Sequence, residues 1–360
     1  MSLVSWKTRL RRLPANIVSN RFWILWGGTV YVRTDSPVIG QSDHSASALC
    51  DALGNSKTYV KWSSWAPTRR ISAARVGLFP TELGMFGNMI RRMGNVLVVA
   101  QAFEVGHLVV PKGVIFYRGL LAEALATTRD GLRVWFGVQP RMVHNQIDAL
   151  VTTDFFRSFP HVESLSEKSA DDAWRSLRNL LVPQVPTSSS GATVLTIHVR
   201  GGDVFGPRKP AGYGQPPFSY YQLILESQKW ERVDLVYQDM SNPVVSIIID
   251  YCRAHKLHLE TQSSNLPADL TTLLGAENLV AGRGSFIPAV VGLSPRCKNV
   301  YYFEDKMKVI PSVSGINLVR VRDATGDYRS RVLSNNWENS LEQRQLMTTY
   351  PLSSVVMEGP

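Results

Sequence analysis

The chain reads as an α/β protein built from two doubly wound domains, and three observations predict this. Its 360 residues suit two domains at roughly 150 residues each, both large enough to bury a core. Apolar runs of strand length alternate with runs of three- and four-residue periodicity, as when helices pack on parallel sheets. Thr193 to Val199 (TVLTIHV) is nearly all apolar, as a central parallel strand buried on both faces should be.

The chain opens with a basic N-terminal extension, expected over residues 1–73. Residues 1–75 hold eleven Lys or Arg against three Asp, so +8 of the chain's +10 lies there and the remainder is nearly neutral. Within it Phe22 to Val32 (FWILWGGTVYV) is apolar. At eleven residues it is too short to span a bilayer, which needs roughly 17–25. Three readings stay open for it: a buried strand, a Trp-bearing segment on an anionic membrane surface, or a short signal anchor.

The first patterned domain is expected over 74–185. Ala74 to Phe79 reads as a strand, Asn88 to Glu104 as a helix with Met89, Met93, Val96, Leu97, Ala100 and Phe103 on one face, and His107 to Val110 as the next strand. Helical stretches follow around Leu120 to Thr128 and Ala170 to Leu181. Pro183 to Gly191 (PQVPTSSSG) is the linker candidate, and the second domain is expected over 186–330. It continues with a loop from Gly201 to Pro217, a helix over Phe218 to Trp230, a strand over Val233 to Tyr237, and a helix over Val244 to His255. A further β-rich stretch precedes a helix over Asp269 to Leu274, a strand over Asn278 to Ala281 and a helix over Ser285 to Leu293. Residues 331–360 are left as a C-terminal helix or tail.

Composition excludes several classes. Charged residues are 19% of the chain, below the roughly 25% of an average domain, and 44% are hydrophobic, so it is no disordered basic protein. Cys50, Cys252 and Cys297 are odd in number and widely spaced, which excludes a disulfide-stapled mini-fold and makes a reducing compartment the default. The histidines have no zinc-ligand spacing and no Asp-x-Asp pair exists, so no metal site is expected. Beyond residue 75 no basic stripe with interleaved aromatics suggests nucleic acid.

Three strings could carry chemistry. Ile197-His198-Val199-Arg200-Gly201-Gly202-Asp203 ends a predicted buried strand, and open α/β sheets bind ligands at such carboxyl ends. Arg200 suits a diphosphate, and the glycines allow close approach of main chain. An Arg200–Asp203 ion pair closing the loop is the structural alternative. The second string, Asp269 to Phe286, ends in Arg283-Gly284-Ser285-Phe286 between a strand and a helix. Ser285 there caps a helix whose free amides can meet an anion, or the segment is an ordinary glycine turn. Asp269 can accept two hydrogen bonds from guanine, or cap its helix. The third, Leu83-Gly84-Met85-Phe86-Gly87-Asn88, is a glycine loop opening a helix; it is neither a Walker loop nor a dinucleotide fingerprint.

In this order the three strings resemble the fucosyltransferase superfamily of α1,2-, α1,6- and protein O-fucosyltransferases. GMFGN resembles its N-terminal Gly-x-x-Gly-Asn segment, HVRGGD its His-x-Arg-Arg-x-Asp signature, and the Asp269-to-Ser285 spacing its third motif. The resemblance implies two Rossmann-like domains facing a cleft (GT-B type). It implies an inverting transferase that takes fucose from GDP-fucose to a glycan or polysaccharide, with no cofactor beyond that donor. Carried over, His198 and Asp269 contact guanine, Arg200 the β-phosphate, and Ser285 with the Phe286 amide the diphosphate. Gly87 and Asn88 close the site. Arg200 then neutralises charge on departing GDP, in place of a metal.

One position departs: the second Arg of the signature is Gly201, so a second cation must come from Arg208, Lys209 or Arg283. Asp203, Glu82 and Asp239, in that order, are candidate bases. With the second arginine lost, a catalytically inactive nucleotide- or glycan-binding relative is the alternative. The loop Phe205 to Phe218, with Tyr213, is expected on the acceptor side. The expected location is the cytoplasm, with peripheral membrane contact through residues 1–32, or else a Golgi or ER lumen with a short N-terminal anchor. No nucleic-acid partner is expected.

Overall fold

A strand that is apolar on both faces needs cover on each side, and the chain meets this need twice, around two separate sheets. The computed structural model describes residues 23–26, 29–34, 57–61, 73–80, 86–110, 125–127, 131–136, 146–147, 149–153, 170–181, 191–207, 211–263, 265–304 and 315–358. Contacts group the chain into one unit of residues 1–84 and 91–180 and another of residues 85–90 and 181–360.

The first unit contains β1 (Trp23–Trp26), β2 (Thr29–Thr34), β3 (Lys57–Lys61) and β4 (Val76–Pro80). Helix α1 (Phe86–Ala102) follows, its opening residues grouping with the second unit. Then come β5 (His107–Val110), β6 (Leu125–Thr127), β7 (Arg133–Phe136), β8 (Ala149–Thr153) and α2 (Ala170–Leu181). The sheet order is β1-β2-β3-β8-β4-β5-β7-β6. Strands β8, β4, β5 and β7 are parallel, whereas β3 and β6 join at either side antiparallel.

Two expectations change here. Residues 23–26, 29–34 and 57–61, expected within a basic extension, are strands β1, β2 and β3 of this sheet. The apolar run is two strands, not one: β1 and β2 pair from Trp23↔Val32 to Trp26↔Thr29, leaving the glycine pair 27–28 between them, a favoured composition for two-residue hairpin loops. The helix expected around Leu120 to Thr128 is instead β6 where it is described. Leu125–Thr127 pairs antiparallel with β7, and Asp130-Gly131 between them is a hairpin signal that outweighs weak helical periodicity.

The second unit contains β9 (Val194–Val199), α3 (Phe218–Glu226), β10 (Arg232–Tyr237), α4 (Val244–Ala254), β11 (His258–Gln262), α5 (Leu266–Gly275), β12 (Asn278–Val280) and α6 (Phe286–Leu293). It ends with β13 (Asn299–Phe303), β14 (Asn317–Asp323), α7 (Asp327–Val332), α8 (Leu341–Thr349) and β15 (Val355–Glu358). The order is β11-β10-β9-β12-β13-β14-β15, parallel except for β15. All six residues of β9 are buried, as a central strand requires. The stretch expected as a C-terminal helix or tail holds a helix and a further strand: α8 is closed by a Ser340/Gln343 capping box and β15 completes the sheet.

At the amino end of this sheet the side chains of Asn278, Asn299 and Asn317, each opening its strand in register, form a ladder. Asn317 donates to Asn299 at 3.1 Å, Asn299 to Asn278 at 2.8 Å, and Asn278 to the Ala192 and Val194 carbonyls at 2.9 and 3.1 Å. The ladder satisfies polar groups across three strands and fixes register at the edge opposite the carboxyl ends.

Candidate functional site

From β9 the chain steps to β10 and β11 on one side, then returns to lay β12 on the other side of β9. The carboxyl ends of β9 and β12 thus form the topological switch point, where open α/β sheets leave a crevice for a ligand. The two strings read as chemical meet here: His198-Val199-Arg200-Gly201-Gly202 leaves β9, and Ala281-Gly282-Arg283-Gly284-Ser285-Phe286 leaves β12.

His198 is buried, and its Nδ1 has no hydrogen-bond partner. Burial, with Arg200 nearby, pushes its pKa down to about 3, so the ring is neutral at physiological pH. The Phe286 ring lies 5.2 Å from it, centroid to centroid. Gly282 permits this crowding, since a methyl there would stand 2.9 Å from the His198 carbonyl oxygen and 3.0 Å from Nδ1. An orphaned buried polar atom of this kind costs about 1–3 kcal/mol.

Arg200 lies along the β12–α6 loop. A methyl on Gly284, whose φ is +136°, would sit 2.3 Å from the Arg200 Nη1. The guanidinium stacks on Tyr213 at 4.7 Å from the ring centroid, and Nη2 meets Asp203 Oδ1 at 3.3 Å. The Asp203 side chain is 66% exposed, so this ion pair is weakly held in high-dielectric surroundings. The loop-closing pair foreseen in the sequence does form, but its carboxylate is exchangeable.

Gly201 and Gly202 are fixed by the β10–α4 loop. The Gly202 amide donates to Ser241 Oγ at 3.1 Å, and the Ser241 amide to Asp239 Oδ1 at 2.8 Å. Burial acts to raise the Asp239 pKa, but hydrogen bonds from Ser241 and Gly202 outweigh it and hold the carboxyl below its usual range. A methyl on Gly201 would meet Asp239 Oδ1 at 2.6 Å, so Asp239 fills the space that a longer residue would enter. Asp239 is a structural anchor of this turn, and its depressed pKa makes it a poor general base.

Ser285 precedes α6 and makes no side-chain capping hydrogen bond, which leaves its hydroxyl and the Phe286 and Ile287 amides available; Pro288 has no N–H, and the Ala289 amide donates to the Ser285 carbonyl at 3.3 Å. Gly87, in the first turn of α1, packs onto this loop: a methyl there would stand 2.5 Å from the Ser285 carbonyl carbon and 2.7 Å from the Phe286 nitrogen. Phe86 meets Phe286 edge-on at 5.4 Å. These residues belong to one unit, since 85–90 group with the second. Asn88, half-buried, follows on the same turn.

Asp269 lies further off. It is on α5, capped by Asn265 rather than by Asp269, and it accepts from Gln262 Nε2 at 3.3 Å. Burial raises its pKa. Gln262, Val236 and His198 form one row across β11, β10 and β9, so two strand spacings, roughly 10 Å, separate Gln262 from His198. The structure thus gathers Gly87, His198, Arg200, Ser285 and Phe286 closely and sets Asp269 along the same edge. Arg283, proposed as a second cation, donates to the Gly214 carbonyl at 2.9 Å. Glu82, Arg208 and Lys209 lie outside the described residues.

Several contributors were not foreseen. Gln215, wholly buried, accepts from the Arg283 amide at 3.2 Å and donates to the Tyr213 carbonyl at 2.8 Å. Trp337 Nε1 donates to the Val204 carbonyl at 2.8 Å and Asn339 to that of Phe205 at 2.8 Å, so the C-terminal segment steadies the turn after Arg200. Tyr220 ties the end of β12 to the middle of β13 through the Ala281 and Tyr301 carbonyls at 3.2 and 2.8 Å. Such long-range contacts leave no local pattern.

The site belongs to a mixed α/β protein with parallel-cored sheets. No protein-family model matches the chain, and no curated protein matches it in sequence. Among solved structures, POFUT1 in complex with GDP, a protein O-fucosyltransferase, is similar with a TM-score of 0.34 and 10% identity, covering 64% of this chain and 99% of its own. POFUT1 with GDP-fucose gives 0.34 and 11% over the same shares. The E. coli heptosyltransferase WaaC with ADP gives 0.33 and 12%, covering 77% of this chain and 100% of its own. Both neighbours are GT-B glycosyltransferases. Likeness this slight assigns neither donor nor acceptor, and the chemistry rests on the residues.

Proposed function

We propose that the chain is an inverting, metal-independent glycosyltransferase that moves fucose from GDP-fucose to a glycan or polysaccharide acceptor. The observation that carries this reading is the meeting of the β9 and β12 ends at the switch point, which brings His198, with an unpartnered Nδ1, and Arg200, lying against Gly284, to the loop that ends in Ser285 and Phe286. That combination suits a nucleoside diphosphate: the neutral imidazole for the base, Arg200 and the α6 amides for the phosphates. Asp269 is held by Gln262, which shares the strand row of His198 two strands away, and is our candidate for guanine recognition. As GDP departs, Arg200 neutralises the growing charge, the role a metal fills elsewhere. Asp203 is the exposed carboxylate beside it and our candidate base.

The test is transfer and hydrolysis of GDP-fucose by the wild-type chain and by Arg200→Ala. A lost charge donor of this kind costs about 10²–10³ in turnover with folding intact, and near-normal turnover would sink the assignment. A second reading, a catalytically inactive nucleotide- or glycan-binding relative, is favoured by Gly201 itself, which stands where the signature has its second arginine and packs against the Asp239 carboxylate. GDP binding without transfer or hydrolysis across an acceptor panel would select it.

For location we propose the cytoplasm with membrane contact through residues 1–32; a Golgi or ER lumen with a short anchor is the alternative. Pairing of residues 23–26 with 29–32 commits that part of the apolar run to a sheet, which argues against the anchor and adds nothing for membrane contact. Among the described residues no helix is long and apolar enough to cross a membrane.

A further inference from the structure

We propose that Tyr213 and Gln215 are positioning residues that hold Arg200 ready for the diphosphate, an inference that rests on the nucleotide reading of the switch-point site. In the loop Phe205 to Phe218, expected on the acceptor side, Tyr213 contacts Arg200 and Gln215 contacts Arg283. Gln215 is wholly buried and acts as a clamp. Its Oε1 accepts from the Arg283 amide at 3.2 Å, and its Nε2 donates to the Arg283 carbonyl at 3.4 Å and to the Tyr213 carbonyl at 2.8 Å. Its own carbonyl accepts from the buried Tyr328 hydroxyl at 2.6 Å. A side chain bonded on both its oxygen and its nitrogen has one rotamer, so the turn carrying Tyr213 is locked to the β12–α6 loop.

The consequence falls on Arg200. Left alone, a guanidinium on a glycine-rich loop would sample many rotamers and would pair with Asp203 whenever it could. Tyr213 offers its ring face at 4.7 Å and Gly284 a bare main chain on which Nη1 rests. Stacking holds the plane of the guanidinium while leaving its in-plane N–H groups for phosphate oxygens, and Asp203, held at 3.3 Å in solvent, is the partner that an arriving diphosphate displaces. Displacement frees the Asp203 carboxylate in the same step, so donor binding unmasks the candidate base. Pre-organisation of this sort improves binding by lowering the ordering cost of the charged side chain.

The experiment is a double-mutant cycle on the full chain, titrating GDP and inorganic diphosphate into wild type, Tyr213→Leu, Tyr213→Phe, Arg200→Ala and Arg200→Ala/Tyr213→Leu, with a melting curve for each. Tyr213→Leu removes the π face and should weaken GDP by about 2- to 30-fold with melting unchanged, the range of a cation–π contact. Tyr213→Phe keeps the ring and should retain affinity within about twofold. On the Arg200→Ala background Tyr213→Leu should have no further effect. Gln215→Leu tests the clamp and should mimic Tyr213→Leu in affinity, whatever it adds in stability. Full additivity of the two losses, or Tyr213→Phe as weak as Tyr213→Leu, overturns the positioning role while leaving the nucleotide site standing. A wild-type chain that binds neither GDP nor diphosphate overturns both.

Discussion

Gly87→Ala tests the close packing of α1 on the candidate phosphate loop. The added methyl would lie 2.5, 2.6 and 2.7 Å from the Ser285 carbon, Ser285 oxygen and Phe286 nitrogen. All three are main-chain atoms, so no rotamer change relieves the overlap; comfortable contact is about 3.5–4.0 Å, and the loop must retreat by about 1 Å. Overpacking of this kind costs about 1–3 kcal/mol, offset by up to about 1 kcal/mol from the better helix propensity of Ala. The net expectation is a loss of about 1–2 kcal/mol, or about 2–8 °C of melting temperature for a unit this size. The same substitution seven residues on is the control. At Gly94 the methyl meets the edge of the Trp174 ring at 3.2 Å, a side chain able to yield by a few tenths of an ångström, so Gly94→Ala should stay within about 1 kcal/mol of wild type. Calorimetry measures stability, and titration with GDP measures what the retreat does to the Phe286 amide, an expected weakening of about tenfold or more. If Gly87→Ala melts no lower than Gly94→Ala and binds GDP as wild type does, the packing argument fails.

Two further predictions concern stability. His107 accepts from Trp135 Nε1 at 3.1 Å, and burial with two nearby arginines pushes its pKa down to about 4; that of His198 is about 3. Both lie below the unfolded value of about 6.5, so below that pH the unfolded chain takes up protons that the native one refuses. Stability is present above about pH 6.5 and falls as pH drops, by about 1–2 kcal/mol per histidine between pH 7 and 5, levelling near pH 4 for His107 and pH 3 for His198. Urea denaturation across that window should show the fall, and a flat profile would contradict the burial of both rings. Asn299→Ala removes the middle of the asparagine ladder and strands Asn278 Oδ1 and Asn317 Nδ2, costing about 1–3 kcal/mol, whereas Asn317→Ala at its end should cost about 1 kcal/mol or less. The reverse order in thermal melts would show that the ladder is not what fixes the strand starts.

What was legible in the sequence follows from how local the signal is. His107 to Val110 and Ala170 to Leu181 were read to the residue because apolar periodicity alone defines them, and α1 shifted by two residues at each end because its first turn is set by packing of Phe86 on Phe286. Leu125–Thr127 misled because three residues hold too little periodicity, although the Asp-Gly turn after it was there to be used. The strands Asn299–Phe303, Asn317–Asp323 and Val355–Glu358 went unread, and with them the asparagine ladder, since its rungs are set by strand order. Arg200 and Ser285 were recognisable from their glycine surroundings, but that β12 lies beside β9 is a topological fact. Gln215 was invisible for the same reason: it looks like a loop residue until its bonds to Arg283, 68 positions away, are seen.

The central claim is that the carboxyl ends of β9 and β12 hold a guanine nucleoside diphosphate. The most direct measurement is isothermal titration of GDP, UDP and ADP into the wild-type chain, Arg200→Ala and Asp269→Ala. The account predicts GDP bound in preference to the other two, weakened by at least about tenfold in Arg200→Ala as a charge-assisted bond is lost, with the preference for guanine abolished in Asp269→Ala. Equal binding of all three nucleotides, unaffected by either substitution, would contradict it.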